Sequence, residues 1–133
     1  MHKLSVWDLD VPPASPTIAT EPIDRVHLFR MTLGDARVQA EVLALFGQQI
    51  ELLVGRMDTA PPAVGATLAH PLKGSARGVG AWAVVEATDA IETAVAAGAA
   101  LAGPMAALAQ AGAAVHAAIA GMRQSEAGEG AGL

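Results

Sequence analysis

From Thr93 to Met122 the chain carries no charged residue. A run of that length is long enough in count to cross a bilayer, and otherwise belongs to helices that share a core. Its composition decides which. The run is mostly alanine and glycine, and Gly103-Pro104 interrupts it. Proline inside a helix costs about 3 kcal/mol, so this dipeptide reads as one helix ending and another starting. Two helices sharing a bundle core are therefore expected, with no membrane partner. Alanine suits such a core, because short side chains let helix backbones approach closely.

The rest of the composition narrows the class. The chain has 133 residues, the size of one domain. Hydrophobic residues at 53% against 16% charged residues exclude a disordered chain. Aromatic residues make up only 3%, which argues against a β-sandwich or barrel and against a binder that stacks single-stranded bases. The formal net charge is −5, so nucleic acid is not an expected partner. The absence of cysteine excludes disulfides, thiolate metal sites and cysteine nucleophiles. Met1 to Leu9 includes Lys3 and Asp8 and no apolar run, so no secretory signal is read and a cytoplasmic location is expected.

Residues 1–20, with Pro12, Pro13 and Pro16, and residues 124–133, with Gly128, Gly130 and Gly132, read as tails on a domain spanning 21–123. Within it, Ile23 to Leu33 forms a short helix closed by Gly34. Asp35 caps a long helix running to about Met57. On that helix Val38, Val42, Leu45, Phe46, Leu52 and Leu53 fall on one side, and Arg37, Ala44, Gln48 and Glu51 on the other. Pro61-Pro62 opens a third helix with Thr59 as its cap. A fourth runs from about Ala81 to Ala97 and ends near Gly98, and a fifth from Pro104 to about Arg123. Short connections favour antiparallel neighbours. The expectation is an all-α fold, an up-and-down antiparallel four-helix bundle with an additional short N-terminal helix.

The chemistry is concentrated between Ala69 and Ala81, in the run AHPLKGSARGVGA. On a helical wheel with Val64 at zero, Leu68, Leu72, Ser75 and Val79 lie within about 80° of it, on the side read as buried. His70 falls at about 240°, Lys73 near 180°, Arg77 near 220° and Gly74 near 280°. His70 thus points away from the core, between two cations and a bare stretch of backbone. Each interior glycine costs a helix about 1 kcal/mol relative to alanine, yet Gly74 and Gly78 sit one turn apart beside the histidine. No Asp or Glu occurs from Thr59 to Val85, so the patch is locally cationic on an acidic protein. A neutral imidazole is a nucleophile competent to carry a phosphoryl group. A lysine one turn away can neutralise phosphoryl oxygens.

The segment from His70 to Ala81 resembles the signature of histidine-containing phosphotransfer (HPt) domains, in which His-x-x-Lys-Gly is followed by small residues and then Gly-Ala. His70, Lys73, Gly74, Ser75, Gly80 and Ala81 fill every element of it. The order of helices from residue 23 to about 120 is similar as well. The resemblance implies that His70 is phosphorylated on Nε2 and that Lys73 stabilises the phosphoryl group. It implies that Gly74 leaves room for a docking receiver domain. The wheel adds Arg77 and Gly78 as docking candidates, and Ala66 joins them on the same side. The implied partners are response-regulator receiver domains and a histidine kinase, hybrid kinases included. The chain would be a phosphohistidine carrier without kinase activity of its own, and a monomer is expected. It would hold no cofactor or metal, since the Mg2+ belongs to the receiver.

One position departs from the family. Pro71 stands where a small hydroxyl residue or alanine is common, and it removes a backbone hydrogen bond to Thr67; a local bend is expected. Elsewhere the signals are weak. His2, His27 and His116 share no ligand spacing with His70. Gly78-Val79-Gly80 follows no strand, and Ala83 occupies the third glycine position of a dinucleotide loop. Ser75 and Trp82 read as packing residues, and Asp89 and Glu92 as a solvated face that touches the histidine only as a lesser alternative. Two other readings of the whole chain stand beside the relay. One is a phosphorylation-independent regulator that binds a kinase or receiver through the same face, and the other is an alanine-rich surface or coat protein.

Overall fold

Two aspartates start the first two helices. In the computed structural model, which describes residues 21–131, Asp24 Oδ1 accepts the His27 N–H at 3.0 Å and opens α1, Arg25–Met31. Asp35 Oδ1 accepts the N–H groups of Arg37 and Val38 at 2.9 and 3.2 Å and opens α2, Ala36–Met57. Each is an N-cap carboxylate satisfying amides that have no intrahelical partner. Between them Leu33 and Gly34 take positive φ, 54° and 73°, and turn the chain. The first helix is therefore shorter at both ends than Ile23 to Leu33. The expected tail at residues 1–20 lies outside the described residues.

α3, Pro62–Val79, starts on Pro61 and Pro62, whose fixed φ suits a first turn. Thr59 is not its cap; no side chain caps this helix. α3 runs unbroken through Pro71. α4 is Trp82–Ala97 and α5 is Ala102–Ala131. Left-handed glycines, Gly80 and Gly98, end α3 and α4. The break expected around Gly103-Pro104 is present, but α5 begins two residues before Pro104. Proline is tolerated there because the first-turn amides have no intrahelical partner anyway. α5 also continues past Arg123 into the stretch expected to be a tail. Gln124, Glu126 and Ala127 are good helix formers, and a glycine weakens a helix without by itself ending it.

Among the described residues there is no strand. α2 packs on α3 and α5, α4 packs on α3 and α5, and α1 rests on α3. α2 contributes Leu43, Phe46, Ile50, Leu53 and Met57 to the core, at alternating spacings of three and four. This stripe is rotated from the one read off the sequence, and Val38, Leu45 and Leu52 are exposed. The same correction applies to α3. Val64 is exposed and Ser75 half-buried, while Gly65, Ala69, Leu72, Ala76 and Val79 face inward. A wheel weighted toward bulky residues overlooks alanine and glycine, which are what a close helix pair buries. Opposite them stand Val84, Ala87 and Ile91 of α4, and Leu108, Ala111, Val115 and Ile119 of α5. By length and composition the stretch Ala102–Ser125 of α5 is long and apolar enough to cross a bilayer; in this fold its buried edge packs on α4 and α2.

A buried carboxylate pins α1 to the turn between α3 and α4. Asp24 donates its N–H to the Gly80 carbonyl at 2.9 Å, and its Oδ2 accepts the Trp82 Nε1–H at 2.9 Å. A Cβ on Gly80 would come within 2.8 Å of Asp24 Cβ, at a φ of +78°. Glycine is required there on both counts. Trp82, read from sequence as core, is half-exposed and serves this network. The His27 ring meets it edge-on at 5.0 Å and reaches the Arg77 carbonyl through Nε2 at 2.8 Å. Replacing Asp24 with alanine removes a helix cap and strands the indole N–H. A loss of about 2 kcal/mol of stability in urea unfolding is expected. A change under about 0.5 kcal/mol, the range of an ordinary surface substitution, would contradict this account of the network.

Candidate functional site

His70 stands at the middle of α3, and its side chain is 73% exposed. Ala69 before it and Leu72 after it are fully buried, so a helical step of about 100° carries His70 out to solvent. Its Nδ1 lies 3.4 Å from Glu92 Oε2 on α4. In the tautomer that donates this bond, Nε2 carries the lone pair and is the free nucleophile. Glu92 therefore touches the histidine, the lesser of the two sequence readings. Its signal was available only once α3 and α4 were paired, because the two residues belong to different helices.

Lys73, one turn beyond His70, is only 13% exposed. Its Nζ lies 2.9 Å from Glu92 Oε1 and 3.5 Å from Asp89 Oδ1. The Glu92 contact foremost, with the negative fields of Glu92 and Asp89 added, holds the ammonium above its ordinary value of 10.5 against partial burial. The same contact, helped by His70, holds the Glu92 carboxyl below its ordinary value of 4.5. One carboxylate thus bridges the imidazole and the ammonium.

The linkage has a definite sign. A carboxyl lowered by folding contributes stability above its unfolded value, and that contribution disappears as pH falls through the folded value. A lysine raised by folding contributes below its unfolded value and loses that contribution as pH rises through the folded one. The stability gap between wild type and Glu92→Gln should therefore be constant from about pH 6 to 9 and narrow below about pH 4.5. Thermal unfolding across that range measures it. A gap unchanged at pH 3 would show that the pair contributes nothing.

Of the docking candidates, Gly74 and Arg77 are exposed, and Gly78 and Ala66 are half-exposed. Among the described residues, a Cβ built on Gly74 or Gly78 would meet nothing within 4 Å. The fold therefore requires neither glycine. Open positions also occur at Gly55 and Gly121; what distinguishes Gly74 and Gly78 is their place beside an exposed imidazole. Ser75 and Gly78 also line the edge of an apolar groove between α1, α2 and α3, with Leu28, Met31, Val42 and Leu45 on its other walls. Among the described residues, no group of three or more His, Asp or Glu side chains is arranged to hold a metal ion. Comparison with protein-family models, curated proteins and solved structures finds no match to this chain.

Proposed function

We propose that α2 to α5 form an up-and-down antiparallel four-helix bundle, with α1 as an additional short helix, and that this domain relays phosphoryl groups through His70 in a two-component phosphorelay. The observation that carries the reading is an imidazole 73% exposed, with Nδ1 on a carboxylate and Nε2 free, inside the sequence signature His-x-x-Lys-Gly.

The transfer is a displacement at phosphorus. The Nε2 lone pair of His70 attacks the phosphoryl group of a receiver's aspartyl phosphate. The N–P bond forms, the aspartyl O–P bond breaks, and the aspartate leaves as a carboxylate. Nδ1 keeps its proton, which Glu92 holds. The reverse displacement loads a second receiver. Phosphoryl transfer depends mainly on positioning and charge stabilisation, so the demands on this chain are few. Lys73 supplies the positive charge, turning from Glu92 and Asp89 toward the phosphoryl oxygens as they arrive. Gly74, Gly78, Arg77 and Ala66 form the surface against which a receiver docks. The Mg2+ sits in the receiver, and a histidine kinase charges the relay in the cytoplasm.

The test is direct. Purified protein is mixed with a phosphorylated receiver and Mg2+, and intact mass is followed before and after acid treatment. An acid-labile phosphoryl adduct on the chain is the expected result. No adduct from any of several receivers would overturn the relay.

A further inference from the structure

α2 carries two apolar seams. The inner one, Leu43, Phe46, Ile50, Leu53 and Met57, is buried in the core. The outer one is Val38, Val42, Leu45, Gln49 and Leu52, with spacings of four and three in alternation. That is a heptad register, the pattern of a helix that packs along a partner helix. Yet on the outer seam Leu45 is 65% exposed, Leu52 54% and Val38 39%. Aliphatic residues in this repeat are more than scattered surface apolarity, which needs no explanation.

The charges select the partner. Asp35 stands at the N-terminal end of the seam and Arg56 at the C-terminal end, both exposed. They lie ten and eleven residues from Leu45, or about 15 and 16 Å along the axis. A second α2 laid antiparallel, with Leu45 at the two-fold axis, brings each Arg56 to the other copy's Asp35. In the same register Val38 meets Leu52 twice, and Glu41 on the outer flank faces the Gln48 amide. A parallel arrangement would place like charges together at both ends. The surface is thus self-complementary under a two-fold rotation, which is what an isologous interface requires.

We infer that the outer seam of α2 is a homodimer interface in which a second copy of this chain packs antiparallel with Leu45 on the two-fold axis. This departs from the monomer expected by resemblance, and it does not depend on the relay reading.

The absence of cysteine makes the register testable in the full chain. Under mild oxidation at low concentration, Leu45→Cys should form a symmetric disulfide much faster than Ala109→Cys, an exposed position on α5. Leu52→Cys should form one slowly alone and quickly when mixed with Val38→Cys. Sedimentation equilibrium should show a concentration-dependent dimer for wild type and a monomer for Leu45→Glu. Asp35→Asn keeps a competent helix cap, and it and Arg56→Glu should each weaken the dimer about fivefold. A wild type monomeric at millimolar concentration would overturn the inference and leave the seam to a different protein. A dimer that survives Leu45→Glu, equal cross-linking at Leu45 and Ala109, or faster cross-linking of Leu52→Cys alone would overturn it too.

Discussion

A His70→Gln protein should accept no acid-labile phosphoryl group under conditions that load the wild type, and should unfold at the same urea concentration. The chemical half follows from the atoms. Glutamine ends in an amide whose nitrogen is a donor only, so it offers no nucleophilic lone pair at the position of Nε2. The structural half follows from the surroundings. The His70 side chain is 73% exposed, and its one polar contact among the described residues is the 3.4 Å approach to Glu92. Glu92 keeps its closer partner, Lys73 at 2.9 Å. A surface change of this kind shifts stability by no more than about 0.5 kcal/mol. Loss of the adduct with an unchanged urea midpoint therefore assigns the chemistry to His70 itself. An adduct that persists in the variant would move the phosphoryl group to another residue and end the assignment. Wild type and variant that both bind receiver, with neither labelled, would favour a regulator that docks through this face without accepting phosphate.

What the sequence made legible, and what it did not, divides along one physical line. Local signals held. Asp35 caps α2 and Gly98 ends α4, because caps and left-handed glycines act within a few residues; the break between the last two helices is present but falls at residues 98–101, before Gly103-Pro104. The outward direction of His70 also held, since it needs only the wheel of its own helix. Features that depend on a second helix did not. The α2 stripe is rotated onto Leu43 and Ile50, and α3 turns Ala69 and Ala76 inward rather than Val64. Where a core interleaves alanine with larger residues, bulk is a poor guide to burial. The contact of Glu92 with His70 is faint in the sequence for the same reason. Nothing near Glu92 in sequence marks it, and only the pairing of α3 with α4 brings it to His70 and Lys73. Asp24 is a similar case. Its contacts with Gly80 and Trp82 span more than fifty positions of the chain.

The two glycines beside the histidine should give effects of opposite sign on folding and on transfer. Gly74 lies inside α3 with open space where a Cβ would stand. Alanine there meets no neighbour and removes the conformational cost of glycine, so Gly74→Ala should raise stability by about 1 kcal/mol. Gly78→Ala should act in the same direction, for the same reason. A sequence that keeps a destabilising residue at two adjacent turns keeps it for something outside the fold. In the relay reading that purpose is the approach of a receiver's aspartyl phosphate to Nε2, which leaves no room for bulk one turn away. Gly74→Trp should therefore fold as well as wild type but lower the rate of transfer from a phosphorylated receiver by about a hundredfold, or about 2.8 kcal/mol. Stopped transfer reactions, read alongside urea unfolding of the same proteins, separate the two effects. If Gly74→Trp transferred at the wild-type rate, Gly74 would lie outside the docking surface, and its cost to the helix would have no explanation in this site.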